Sequence, residues 1–333
     1  MMWRARSIGP YSEAMFTGVV ASGNTVYLTP YDKIKSNSDN VYEVWALGAL
    51  DTYDVMLPPS PPPPTSPPPS PPSPPPPPSP PPPSLTFGTI ATTGDAFGQG
   101  SYWDSGDGKY SGAATVGTKL VFAPFAQDNV GVLDTATNLF STIATTGAAA
   151  SGSEKYRGAA AVGDKVYFAP YRQCNMGVFD TTNNTFYTVG SETSCTYALH
   201  AGAVAVGTNV YFAPHTSAYV RVFNTTSAVT SWIKTTGYYN TKYGGYGKRY
   251  NGAAAVGPKV YFAPYHQRNV GILDTITKVF STVATTGAAY DSYQSNSQYK
   301  YNGAVAIGTK VIFPPYRQDN VVRRCRLSRC NSC

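Results

Sequence analysis

The seventeen-residue segment KYRGAAAVGDKVYFAPY at Lys155–Tyr171 returns from Lys109, Leu199, Arg249 and Lys300, and in weaker form from Met15. Its leading glycines, Gly112, Gly158, Gly202, Gly252 and Gly303, are 46, 44, 50 and 51 residues apart. A repeat of this length is one supersecondary unit that buries its apolar faces only against neighbouring copies. The repeat therefore restricts the chain to a stacked or ring-shaped array.

Each copy carries four short runs rich in β-branched and aromatic residues, of the type GAAAV, KVYFAP, NVGVLDT and TFSTIATT. Turn residues separate them, as expected of strands. A Gly always opens the pair between the first and second runs (Gly117-Thr118, Gly163-Asp164, Gly257-Pro258), which is the type II′ hairpin signature. Four antiparallel strands per 44–51 residues match a β-propeller blade. The expected fold is all-β: a six-bladed propeller of four-stranded blades over residues 1–322, with blades starting near 15, 109, 155, 199, 249 and 300. The last copy fades after Val322, and residues 2–8 are expected to complete it. A closed ring leaves no blade face or strand edge bare.

Residues 58–84 interrupt the first blade. This block holds 20 of the 29 prolines, broken only by Ser and Thr. It is expected to form a polyproline II rod of about 84 Å at roughly 3.1 Å per residue, leaving from the connection between third and fourth strands. Residues 323–333 form a basic tail with Cys325, Cys330 and Cys333.

Composition narrows the function only by exclusion. Charged residues are 13%, and the net charge of +7 is thinly spread outside the tail, with no basic stripe, so no nucleic-acid partner is expected. No apolar run approaches the length of a membrane span, and MMWRARSIGPYSEAM has no apolar signal-peptide core. Nucleophile elbow, HExxH, P-loop and dinucleotide-turn motifs are absent, and no cofactor is called for.

A two-residue turn fixes hairpin register. Counting outward from Gly163-Asp164 places Tyr156 opposite Tyr171, and likewise Tyr110 opposite Phe125, Tyr250 opposite Tyr265, Tyr301 opposite Tyr316 and Phe16 opposite Tyr31. In the fourth blade the same count sets His200 against His215. That pair is either a stacked substitute for two tyrosines or two ligands of a metal site, with His266 the nearest third candidate.

Candidate ligand contacts come from two sources. The loop after the second strand reads PFAQDN, PYRQCN, PYHQRN and PYRQDN, placing Gln127, Gln173, Gln267 and Gln318 with their Asn partners on one face. Either these amides bind a polar ligand, or Asn holds a turn and Gln a neighbouring backbone. The inter-blade connections vary more and contribute Trp103, Tyr238, Tyr239, Tyr243, Tyr246, Tyr290 and Tyr293. Tyr-, Ser-, Gly- and Asn-rich loops suit recognition, since Tyr brings area and a hydroxyl at low entropy cost. The sequons at Asn183 and Asn224 fall in surface turns, and Cys174 and Cys195 are placed for a disulfide. Asp134, Asp180 and Asp274 repeat as turn formers rather than catalytic acids.

In blade length and strand layout the repeats resemble kelch-type propellers, although the kelch Gly-Gly doublet and the spaced Tyr/Trp pair are missing. That resemblance implies a propeller and leaves the activity open, since kelch proteins include interaction scaffolds and the copper enzyme galactose oxidase. The Ser-(Pro)n block resembles the hydroxyproline-rich wall glycoproteins, extensins and pherophorins, which implies hydroxylation, arabinosylation and an extracellular matrix or cell-wall setting. Two functional expectations follow. The first is a binding or structural propeller recognising a glycan or matrix polymer. The second is an intracellular scaffold whose proline block is bound by profilin, SH3 or WW domains, with a propeller enzyme of the galactose-oxidase kind as a further alternative.

Overall fold

The computed structural model describes residues 16–22, 25–30, 46–51, 87–91, 108–150, 152, 154–190, 198–236, 247–285 and 300–316. These residues form five four-stranded antiparallel sheets and one two-stranded hairpin, each sheet a meander whose strands lie in chain order. The first sheet is β1 (Phe16–Ser22), β2 (Thr25–Pro30), β3 (Ala46–Asp51) and β4 (Phe87–Ala91). The second is β5 (Tyr110–Val116), β6 (Lys119–Pro124), β7 (Asn129–Asp134) and β8 (Leu139–Ala144). The third is β9 (Tyr156–Val162), β10 (Lys165–Pro170), β11 (Met176–Asp180) and β12 (Thr185–Val189). The fourth is β13 (His200–Val206), β14 (Asn209–Pro214), β15 (Tyr219–Asn224) and β16 (Val229–Lys234). The fifth is β17 (Tyr250–Val256), β18 (Lys259–Pro264), β19 (Asn269–Asp274) and β20 (Phe280–Ala284), and the hairpin is β21 (Val305–Ile307) with β22 (Lys310–Ile312). The chain is an all-β propeller. Its sixth unit is described by its inner hairpin alone, and the closing segment expected at residues 2–8 lies outside the described residues.

The core lies between blades rather than inside any one. Ala114, Val121, Val130 and Val132 of the second sheet pack on Tyr156, Val166, Phe168 and Phe179 of the third. The same seam recurs between third and fourth, fourth and fifth, and fifth and sixth units. Second strands such as β10 are buried on both faces, whereas outermost strands such as β8 alternate between half-buried and exposed. A blade in isolation would leave both seams wet, which explains why the repeats occur as a continuous array.

The inner hairpins begin as the sequence predicts. Val162 pairs with Lys165, and φ is positive at Gly163 (58°) with no positive φ at Asp164. Further out, the register slips by one between Phe168 and Pro170, opposite Gly158, whose φ is 105°. Tyr156 therefore faces Pro170 and not Tyr171, and His200 faces Pro214 and not His215. The same bulge sets Tyr110 against Pro124, Tyr250 against Pro264, Tyr301 against Pro315 and Phe16 against Pro30. The expected aromatic cross-strand pairs are thus corrected throughout. An extra residue at a glycine bulge consumes one step of the count.

The proline block joins β3 to β4, at the end of the blade opposite the connections between blades. Leu50 is paired with Phe87, so the attachment points of the insert are neighbouring strands rather than points about 84 Å apart, as the ends of a straight rod would be. The block itself lies outside the described residues, as does the tail.

Candidate functional site

The bulge divides the repeat's aromatics into two sets. The first-strand residues Tyr110, Tyr156 and Tyr250 are fully buried against Phe122, Phe168 and Phe262 of their own sheets, and Tyr156 and Tyr250 lie in the seams with the preceding blades. Burial raises the hydroxyl pKa of Tyr156 and Tyr250, so each stays protonated. Their hydroxyls donate to Oδ1 of Asn129, Asn175 and Asn269, the last Asn at 2.7 Å. The Asn of the Q-x-N loop is therefore a partner for a buried phenol.

The second set forms a belt around one end of the propeller axis. Ring centroids run Phe125–Tyr171 at 5.8 Å, Tyr171–His215 at 5.4 Å, His215–Tyr265 at 5.4 Å and Tyr265–Tyr316 at 6.2 Å, one residue from each successive blade. His215 is fully buried within it, and its Nδ1 donates to the Tyr250 carbonyl at 2.9 Å. Burial lowers the His215 pKa well below the ordinary value, helped by the nearby Arg157, Lys248 and His266 charges. His266 stacks flat on Tyr265 (5.3 Å, 8°), and burial with Lys248 and Lys300 nearby brings its pKa down to about 4. Burial and the Arg157 charge likewise lower Lys248. Cations that are scattered in the chain thus meet at this end of the fold, together with Glu154, which pairs with Arg172 at 2.7 Å and opposes the lowering of Lys248.

His200 belongs elsewhere. It packs on Phe212 and Trp232, at 6.2 and 5.9 Å, inside the fourth blade. In other blades the facing third-strand residue is Gly131, Gly177 or Gly271, where an added Cβ would lie 2.7–3.0 Å from the Tyr and Phe rings. The fourth blade has Arg221 there, buried and stacked over Phe212 and Trp232 at 5.8 and 5.7 Å. A smaller His in place of Tyr makes room for that guanidinium. The two histidines are therefore drawn into separate packings, and among the described residues no three of His, Cys, Asp and Glu stand together as metal ligands.

Inside the belt runs the axial cavity, about 510 Å³ in volume. Among the described residues its walls are the inner strands β5, β9, β13 and β17 with residues 302–306, mostly Gly and Ala. The glycines bring these strands together: a Cβ on Gly112, Gly158, Gly202 or Gly252 would fall 2.5–2.7 Å from the next blade's glycine backbone. One residue nearer the belt, the lining turns polar, with Ser111, Arg157, Asn251 and Asn302. Arg157 donates to the Tyr171 hydroxyl at 3.3 Å and lies over its ring at 5.2 Å. Asn251 and Asn302 are 2% and 8% exposed, and the Nδ2 of each finds no hydrogen-bond partner among the described residues. Buried amides without partners are costly in a folded protein unless something fills the gap.

Of the predicted contact residues, Gln127 and Gln173 are half-buried and Gln267 is buried, its backbone carbonyl accepting from Lys300 Nζ at 2.7 Å. Trp103, Tyr238, Tyr239, Tyr243, Tyr246, Tyr290, Tyr293, Gln318 and Cys195 lie outside the described residues. Cys174 is disulfide-bonded. Asn183 is exposed, while Asn224 caps its own turn, accepting from the Thr226 and Ser227 amides at 3.0 and 2.9 Å. Asp134, Asp180 and Asp274 do the same in their blades, as expected of turn formers. The cavity residues were missed because the Tyr-x-Gly position varies among Ser, Arg, Ala and Asn, and only the fold turns that variation into a ring.

No known protein-family model and no curated protein matches the chain. Solved structures do. A streptogramin B lyase structure superposes with a TM-score of 0.59 at 11% identity, covering 94% of this chain and 80% of that one. A structural genomics protein of unknown function from Bacteroides thetaiotaomicron gives 0.55 at 13% identity, over 93% and 69%. The structure of U3-55K gives 0.54 at 9% identity, over 91% and 75%. At such identities the likeness is one of fold, and it is the propeller fold that these proteins share with this chain.

Proposed function

We propose that the protein is an extracellular binding propeller that holds a matrix polysaccharide at the belt end of its axial cavity. The observation that carries this reading is the cavity itself, whose size falls in the range of about 300–1,000 Å³ common for ligand sites. Its walls are small and apolar, and its polar groups converge at one end from four blades. Apolar walls with a few placed hydrogen-bonding groups suit a sugar, whose ring has apolar faces and a polar edge.

Two further features support the setting. The disulfide at Cys174 suits an oxidising compartment. The Ser-(Pro)n block, inserted between β3 and β4, has the composition of wall glycoproteins and would tether the propeller to a matrix. Peptide mass spectrometry across Pro58–Ser84 of native protein, with a polysaccharide binding array, tests both parts. Hydroxyproline carrying pentose chains and retention on a wall polysaccharide are the expected results. A bare proline block in protein that is retained by profilin or an SH3 domain would overturn the reading in favour of an intracellular scaffold.

A further inference from the structure

We infer that the cleft between the outer edges of the third and fourth blades is a second ligand site, which takes an extended saccharide chain laid against aromatic rings. Departures from the repeat mark the place. A Gly–Thr pair joins third and fourth strands in four sheets, as Gly48–Thr89, Gly131–Thr142, Gly177–Thr188 and Gly271–Thr282. The fourth blade has Arg221–Trp232 instead. Two steps along, Tyr219–Lys234 stands where the second and fifth blades have Asn129–Ala144 and Asn269–Ala284. The third blade departs at Tyr187, the position of Ser141, Ser231 and Ser281.

These departures face one cleft. Side chains alternate across a strand, and Val178, the partner of Tyr187, packs in one cluster with Phe212 and Phe223 of the fourth blade. Arg221 pairs with both Phe212 and Trp232, which puts Trp232 and Tyr219 on the side of the fourth blade that looks at the third. The Tyr167–Phe223 ring contact, at 5.8 Å, closes the floor. Tyr187, Tyr219 and Trp232 stay 37%, 42% and 46% exposed, and no other Phe, Tyr or Trp is as open among the described residues. Stacking on Arg221 accounts for Trp232 but not for Tyr187, which belongs to the other blade.

An open aromatic face, with its negative quadrupole, suits the C–H-bearing face of a sugar ring. The hydroxyls at the edge of that ring need partners that donate and accept. Beside Tyr187 the cleft holds both, since Lys165 Nζ donates to the Tyr187 hydroxyl at 3.1 Å and stands 3.5 Å from Asp180 Oδ2. A proline-rich segment also suits aromatic rings but lacks backbone donors for the carboxylate. Three rings flanked by Ser, Thr and Lys are too small a patch for a stable protein interface. The sugar class rests on the polysaccharide reading above, whereas the cleft as a ligand site stands on its own residues.

Tyr187→Ser, Trp232→Thr and Tyr219→Asn put into the cleft what other blades carry, so the variants will fold. Calorimetric titration of the full chain with cellohexaose, xylohexaose and a peptide of residues 58–84, with tryptophan emission as a second readout, tests the cleft. The expected result is saturable binding of at least one hexasaccharide, with an emission change that Trp232→Thr abolishes. Each variant should weaken binding about 3- to 10-fold, the size of an aromatic contact, and Tyr187→Ser with Trp232→Thr more than about tenfold. Tyr187→Ser leaves the Arg221 stack intact and so reads the cleft even if Trp232→Thr unfolds the blade. Ile276→Ser, at an exposed turn of the fifth blade, should change nothing. Hexasaccharide binding as tight in the variants as in the parent would overturn the cleft and leave the axial-cavity reading standing. Binding of the peptide alone, with the same variant sensitivity, would make the cleft a proline-rich groove and overturn the saccharide. Absence of binding by all three probes would overturn the site outright. None of these outcomes depends on hydroxyproline in the proline block, so a failure of the extracellular setting is read separately.

Discussion

The backbone amide of Lys155 donates to the carbonyl of Phe125 at 2.9 Å, and this bond crosses from one blade to the next. The Lys155 carbonyl in turn accepts from Tyr171, whose own carbonyl accepts from Leu199, each at 2.9 Å. The alternation continues through His215, Arg249, Tyr265 and Lys300 to Tyr316, over 2.6–3.0 Å. A zigzag of main-chain hydrogen bonds thus runs beneath the aromatic belt and ties five blades together. It needs the bulge at each leading glycine, because the extra residue shifts the hairpin register and brings the belt residue opposite the residue that precedes the first strand. The Lys-Tyr-x-Gly and Pro-Tyr signatures of the repeat are, on this geometry, two halves of one inter-blade joint.

The glycines that line the axis cannot be replaced. A Cβ on Gly202, where φ is 115°, would stand 2.6 Å from the Gly252 Cα, against backbone that cannot rotate away. Gly202→Ala should cost roughly 3 kcal/mol or more, combining a strained φ with overpacking. Chemical denaturation measures this, and a loss under about 1 kcal/mol would show that the inner strands do not touch as described.

The two histidines of the fourth blade predict opposite responses to the same change. His215→Tyr restores the belt residue of the neighbouring blades and should be well tolerated. His200→Tyr places a larger ring where Arg221 already lies and should destabilise by about 1–3 kcal/mol. The pH dependence separates them further. The folded-state pKa values of His215 and His266 lie below that of free histidine, so the unfolded chain binds protons more readily in acid. Stability should be complete above about pH 6.5 and fall as pH drops towards 4, the value for His266. His215→Tyr should reduce that slope in thermal melts between these values, and an unchanged slope would remove His215 from the account.

Much of this was legible in the chain. The repeat period, the four strands and the Gly-led hairpins follow from alternating β-formers and turn residues, which act locally. The belt escaped the residue count because one bulged residue at Gly158 changes which aromatic faces which, and the glycine recurring inside each first strand is the mark of that bulge. The cavity donors were hidden for a different reason. Arg157, Asn251 and Asn302 are each one step from an invariant-looking glycine, and their common ring exists only once blades are placed around an axis. His200 was misread for the same cause as the belt, although the change to Arg221 at the third-strand glycine position was visible and could have pointed to repacking.

The turns between third and fourth strands carry a further prediction. Their last residue lies in the left-handed region, at φ 57° for Asn138, 51° for Asn184 and 57° for Ala228. Asn tolerates this conformation and Ala does not. Ala228→Gly should therefore stabilise the protein by about 0.5–1 kcal/mol, and an equal loss would mean that strain at this turn is relieved elsewhere.

The last prediction comes from a missing counter-charge. Lys155, fully buried, donates to Asp128 of the preceding blade at 2.8 Å. Its equivalent Lys300 is equally buried, but the repeat places Arg268 where Asp128 stands, and burial together with that guanidinium lowers the Lys300 pKa to about 8. The unfolded chain holds this proton more tightly, so at neutral pH the native state carries a cost that is relieved as pH rises from about 8 towards 10.5. Arg268→Asp recreates the inter-blade pair. It should raise stability near neutral pH by about 1 kcal/mol, the carboxylate being solvent-exposed in the second blade, and should abolish the gain above pH 8. Melting curves of both proteins from pH 7 to 10.5 test this. A variant no more stable than the parent at pH 7, with the alkaline gain intact, would show that Lys300 does not lie in reach of position 268.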